Sequence, residues 1–129
     1  MRNVIETGLP SPRQPFSWAT RANGLIFTTH GPVLPDGNIL QGSIEDQARL
    51  TLENLRQALA SAGATLDDVV QVQIFLIDGA DMAPVDQVYR SFFAAPFPTR
   101  ASLIVAGLVA PGMRIELSAI AAPNTDRAR

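Results

Sequence analysis

The chain contains no cysteine. That absence removes disulfides, thiol nucleophiles, iron–sulfur clusters and cysteine-based zinc sites. Lysine is absent as well, since all ten basic residues are arginine. Without lysine there is no Schiff base to a carbonyl substrate or to pyridoxal phosphate, and no P-loop. A single histidine, His30, rules out sites that need several imidazoles, although a mixed histidine and carboxylate metal site stays formally open. The net charge of −2 supplies no basic face for nucleic acid. No apolar run is long enough to span a membrane, and the first residues lack the apolar core of a signal peptide. A cytoplasmic protein is the simplest expectation. If it is an enzyme, the groups expected to do its chemistry are arginine, carboxylate, hydroxyl groups and water.

What is present fits a compact fold: 129 residues, 47% hydrophobic and 17% charged. We expect one domain over residues 1–129, too small to hold a deep cleft of its own. Residues 1–15 carry Pro10, Pro12 and Pro15 and read as an irregular arm; residues 123–129 read as a loose tail. A strand is expected to begin at residues 16–20, turn at Asn23-Gly24 and return over 25–29. A turn at Pro35-Asp36-Gly37-Asn38 leads to a short edge strand at 39–40. Ser43 is placed to cap a long helix whose apolar stripe is Ile44, Ala48, Leu52, Leu55, Leu59 and Ala62, ending at Gly63. Residues 69–77 read as a strand with Val70, Val72, Ile74 and Leu76 on one face. Asp81 is expected to cap a second helix with a stripe of Met82, Val85, Val88 and Phe92. The predicted class is α+β, with two helices on one face of a mixed sheet.

The most unusual stretch is residues 98–121, two short strands separated by a Pro-Gly turn. Arg100 stands at the head of one strand. Glu116 lies inside the other, where Ile115, Leu117 and Ala119 alternate with Glu116, Ser118 and Ile120. A carboxylate within an apolar strand is costly to bury unless it is paired or used. Structural roles are open to both residues: Arg100 as a surface ion pair or helix-end cap, Glu116 as a partner of Arg114 or Arg100. In functional roles, a guanidinium can grip a planar carboxylate through two parallel hydrogen bonds. A part-buried glutamate can position or deprotonate water. Phe16, Trp18 and Tyr89 read individually as core aromatics and together as the apolar wall of a pocket.

Pro98-Thr99-Arg100-Ala101-Ser102, followed after an apolar run by Ile115-Glu116-Leu117-Ser118-Ala119-Ile120-Ala121, resembles the C-terminal signature of the RidA/YjgF/UK114 family of enamine and imine deaminases. The likeness extends over nearly the whole chain. Pro15-Phe16-Ser17-Trp18-Ala19 and Thr28-Thr29-His30 stand where family members carry Pro-Tyr-Ser-x-Ala and Thr-Ser-Gly, so Phe16 replaces a tyrosine, Thr29 a serine and His30 a glycine.

The resemblance implies a chorismate-mutase-like fold assembled as a homotrimer with clefts between subunits. It also implies a cofactor-free hydrolysis of 2-enamines and 2-imines, such as 2-aminoacrylate, to ammonia and a 2-keto acid. By the same resemblance Arg100 and Glu116 are catalytic: Arg100 binds the substrate carboxylate and Glu116 handles the attacking water. Phe16, Trp18, Thr29, His30, Tyr89 and Ser102 line the site, Thr29 as a hydrogen-bonding hydroxyl; a loop histidine such as His30 is usually polar surface, but its ordinary pKa also suits a proton donor. The departures at Phe16 and His30 imply a divergent subgroup with a more specialised imine, for instance an aminomuconate-like one. The competing reading is a non-catalytic trimer that binds a small carboxylate metabolite or a protein partner.

Overall fold

The computed structural model describes residues 1–124. Six strands form one sheet: β1 (Asn3–Val4), β2 (Ala19–Ala22), β3 (Leu25–His30), β4 (Val69–Leu76), β5 (Thr99–Ile104) and β6 (Ile115–Ala121). Their order across the sheet is β1-β2-β3-β6-β4-β5, and only β4 and β5 run parallel. Two helices, α1 (Ile44–Ser61) and α2 (Met82–Phe92), cover one face. This is the expected α+β layer, and the core lies between the helices and Ile26, Val72, Ile74, Ile115 and Leu117.

The expected caps of α1 are present. Asp46 N donates to Ser43 Oγ at 3.1 Å, and Gly63 takes φ +77° just past the helix, a conformation that costs glycine least. Its polar face carries two exposed ion pairs, Arg49–Asp46 and Arg56–Glu53, which is the behaviour of a solvated surface. The hairpin turn at Asn23-Gly24 joins β2 to β3, with both residues at positive φ.

Several expectations are corrected. The arm is not wholly irregular, because β1 pairs with β2 and Trp18 Nε1 donates to Pro10 O at 2.7 Å. The strand expected to begin at residue 16 begins at Ala19, and the edge strand at 39–40 is reduced to a bridge between Val33 and Ile39. Val70 does not share the face of Val72, Ile74 and Leu76. The register shifts between Val69 and Gln71, and this bulge turns Val70 outward. Asp81 does not cap α2; its carboxylate accepts from Arg114 Nη2 at 2.7 Å, and Asp78 caps the preceding turn through Ala80 N. The buried stripe of α2 is Val85, Val88 and Tyr89, with Met82 and Phe92 only partly covered. The strands of residues 98–121 are not neighbours, since β4 lies between β5 and β6. Of the expected tail, Asn124 N donates to Asp68 Oδ1, as Ala122 N just before the tail donates to Asp68 O, while residues 125–129 lie outside the described part.

Candidate functional site

Glu116 is half-buried on β6. Its neighbours Ile115 and Leu117 enter the core, so strand alternation directs Glu116 to the sheet face away from the helices. Both cations that could have paired with it are engaged elsewhere, Arg114 with Asp81 at 2.7 Å and Arg100 with Asp86 at 2.6 Å. Among the described residues no hydrogen bond or ion pair reaches the Glu116 carboxylate. Burial with nothing to offset it pushes its pKa up. A carboxylate so placed is a better base than a solvated one.

Glu116 lines a groove of about 770 Å³ at the end of the sheet where β3 leaves and β6 enters. Phe16 and Trp18 form one wall, with ring centroids 4.9 Å apart in an edge-to-face contact. Gly31, Val33, Ile39 and the 109–113 loop add further apolar lining. At Gly31 a Cβ would come within 2.8 Å of Met113 Sδ, so glycine permits the two walls to approach.

These walls are fixed from the buried side of α1 by residues that the sequence reading did not single out. Gln47 Nε2 donates to Leu40 O at 2.9 Å and to Gly112 O at 2.8 Å, and its Oε1 accepts from Arg114 N at 2.8 Å. Asn54 Nδ2 donates to Gly31 O at 3.1 Å and Val33 O at 3.0 Å. Gln47, Thr51 and Asn54 recur at spacings of four and three. The detectable signal was therefore a polar row set against the apolar stripe of a helix.

Arg100 lies on the opposite side of the sheet. It pairs in register with Val72, whose side chain is buried under the helices. Its guanidinium donates from Nη2 to Asp86 and from Nε to Ser102 Oγ at 2.9 Å, and rests 4.8 Å above the Tyr89 ring. Arg100, Asp86, Tyr89 and Phe97 line a separate hollow of about 250 Å³. Tyr89 is buried with its hydroxyl unpartnered among the described residues; burial raises its pKa, and the nearby arginine partly opposes the rise.

The anticipated residues thus fall into two groups within one chain. Phe16, Trp18 and Glu116 meet in the large groove. Thr29 pairs in register with Ser118, on the same sheet face as Glu116. Arg100, Ser102 and Tyr89 meet on the helix side. His30 belongs to neither group. It is the last residue of β3 rather than a loop residue, it is 1% exposed, and it is hydrogen-bonded to Thr28 Oγ1 and stacked behind Trp18. Burial lowers its pKa to about 3, so the ring is neutral at physiological pH and does not hold the proton that an acid would donate. Among the described residues, no group of three or more histidine, cysteine or carboxylate side chains could hold a metal. None of the described helices is long and apolar enough to cross a membrane.

Residues 7–123 match the family model described as Endoribonuclease L-PSP. The mitochondrial protein mmf2 of Schizosaccharomyces pombe is 40% identical, over 84% of this chain and 87% of that one. The solved structure of yeast YEO7 has a TM-score of 0.89 at 33% identity, covering 96% of this chain and all of that one. Escherichia coli TdcF, whose name assigns it provisionally to reactive intermediate deaminases, is 32% identical over 94% of this chain and 97% of its own. Its structure, solved with bound serine, has a TM-score of 0.86 and covers 95% of this chain and 99% of that chain.

Proposed function

The chain belongs to the RidA/YjgF family, and from that membership and the geometry of its groove we propose that it is a cofactor-independent hydrolase of 2-imines and 2-enamines. The observation that carries this reading is Glu116, a half-buried carboxylate of raised pKa, without a partner among the described residues, at the wall of an apolar groove. A purely structural glutamate on an apolar strand would be expected to have a cation beside it.

In the proposed reaction, Glu116 takes a proton from water as the water oxygen bonds to the imine carbon. The π pair moves to nitrogen, which then receives that proton. Glu116 next takes the carbinol proton as the C=O bond forms and the C–N bond breaks, and delivers it to the departing ammonia. Both water protons and the original N–H leave as ammonia, and the oxygen stays in the 2-keto acid. A 2-enamine enters the same route by moving a proton from nitrogen to its β-carbon. Holding water and imine in register supplies much of the barrier reduction, so the chemistry needs few groups.

Arg100 is the proposed clamp for the substrate carboxylate. Within one protomer it lies roughly 10 Å along β4 from the level of Glu116, on the other sheet face and with a strand between them. We therefore place the working site between protomers of a homotrimer, with Arg100 and Tyr89 from one subunit closing on Glu116, Phe16, Trp18 and Thr29 of the next. The exposed sheet face, where Phe27, 40% exposed, pairs with half-buried Ile120 and half-buried Phe75 pairs with Glu116 further along β6, offers the apolar surface that such an assembly would cover. That TdcF was solved with serine, a small amino acid, agrees with a site for a carboxylate beside a nitrogen. The formal charge of −2 supports a small-molecule substrate over RNA. We place the protein in the cytoplasm, acting as one RidA-like domain.

The test is an imine-hydrolysis assay, with imines generated in place from several amino acids by an amino-acid oxidase. Accelerated ammonia release that is lost in Glu116→Gln supports the reading. No acceleration by the wild type across the series, alongside tight binding of 2-keto acids, would move the protein to the non-catalytic binders.

A further inference from the structure

Among the described residues, the charged side chains lining the large groove are two, Glu116 and Arg13. Arg13 is held by neutral groups. Its Nη2 donates to Asn38 Oδ1 at 3.0 Å and reaches Asp36 O at 3.4 Å. The guanidinium lies against Gly37, where a Cβ would come within 3.1 Å of Nη2 and 3.5 Å of Cζ and Nε. The nearest acidic side chain in that turn, Asp36, is occupied with Asn38, accepting from its backbone N and from Nδ2. No carboxylate among the described residues forms an ion pair with Arg13. The turn thus orients an exposed guanidinium that makes no ion pair among the described residues, and no hydrogen bond there engages Nε or Nη1. Arg100, by contrast, already has Asp86 as its counter-ion.

We propose that Arg13 is the specificity-determining residue for a second anionic group, so that the preferred substrates are imines and enamines of acidic amino acids, with a distal carboxylate. This rests on the deaminase reading for the reaction, but not for the binding. One carboxylate meets Arg100 of the neighbouring protomer, the imine carbon faces Glu116, and the distal carboxylate meets the Arg13 charge through a single hydrogen bond from Nη1 or Nε.

The experiment compares wild type, Arg13→Ala and Arg13→Glu on imines made in place from glutamate and from leucine, with kcat/KM as the readout. Calorimetry with 2-oxoglutarate and 2-oxobutyrate is run on the same three proteins. The expected result is a wild-type preference for the acidic imine, with the acidic-to-neutral ratio falling at least about tenfold in Arg13→Ala and inverting in Arg13→Glu. The ratio of keto-acid affinities should move in parallel. If neither imine is hydrolysed yet the affinity ratio still depends on Arg13, the anion site stands and the deaminase reading falls. If imines are hydrolysed but both ratios move less than about twofold on loss of Arg13, the proposal is overturned and the deaminase reading is untouched.

Discussion

Arg100 and Glu116 point to opposite faces of the same sheet. Arg100 pairs with Val72 and reaches Asp86 and Tyr89 on α2, whereas Glu116 pairs with Phe75 on the uncovered face. Side-chain alternation along β4 makes positions 72 and 75 of opposite parity, so no rotamer change within one chain brings the two groups together. If both serve one substrate, they do so across a subunit boundary.

Glu116→Gln should lower imine hydrolysis by about 10²–10⁴-fold, the usual contribution of a general base, while keeping affinity for a stable 2-keto acid. The variant should also be at least as heat-stable as wild type at neutral pH. A carboxyl whose pKa is raised by folding stabilises least when ionised, so stability falls as pH rises through the folded pKa, and glutamine removes that loss. In wild type the acid limb of kcat/KM should lie above the ordinary glutamate value. Thermal melts and a pH–rate profile check these outcomes; a lower melting temperature with weaker ligand binding would mark Glu116 as structural.

Asp86 competes with any carboxylate for Arg100, because its Oδ1 already accepts from Nη2 at 2.6 Å. Asp86→Asn should therefore tighten binding of 2-keto acids several-fold, and Arg100→Lys should weaken transition-state binding by about 2–3 kcal/mol because a point charge cannot make the paired contact. Calorimetry and kcat/KM measure the two effects. Unchanged affinity in Asp86→Asn together with near-normal turnover in Arg100→Lys would confine both residues to a structural ion pair.

His30 gives a pH signature of stability rather than of catalysis. Its folded pKa of about 3 lies below the unfolded value near 6.5, so the unfolded chain binds the extra proton between those limits. Stability should decline as pH falls from about 6.5, with a slope approaching 1.4 kcal/mol per pH unit from this group. In His30→Gln that component should vanish. Denaturant melts from pH 7 to pH 4 measure it, and equal slopes in both proteins would mean that the ring is solvated.

Much of the fold was legible because local signals agreed with one another. Ser43 and Gly63 bounded α1, Asn23-Gly24 fixed the first hairpin, and the alternation around Glu116 assigned the faces of β6 correctly. What escaped depends on pairing between distant segments. The bulge that turns Val70 outward leaves no trace in a run of alternating apolar residues, and the separation of β5 from β6 by β4 is a matter of strand order. His30 looked like loop surface because nothing nearby in sequence announces that α1 and Trp18 cover it. Gln47 and Asn54 look like ordinary helix polar residues until the loops whose backbone groups they hold are folded beside them.

The division of the site between subunits is most directly tested by mixing two inactive variants, Arg100→Ala and Glu116→Gln, in one assembly. In a mixed ring, some interfaces receive an intact Arg100 from one protomer and an intact Glu116 from the next. The account predicts that co-refolded or co-expressed variants recover activity, with roughly a quarter of the sites restored at equal mixing, while each variant alone stays inactive. Failure of the mixed assembly to exceed the separate variants, with mixed oligomers verified by mass and wild type active, would contradict a site shared between protomers.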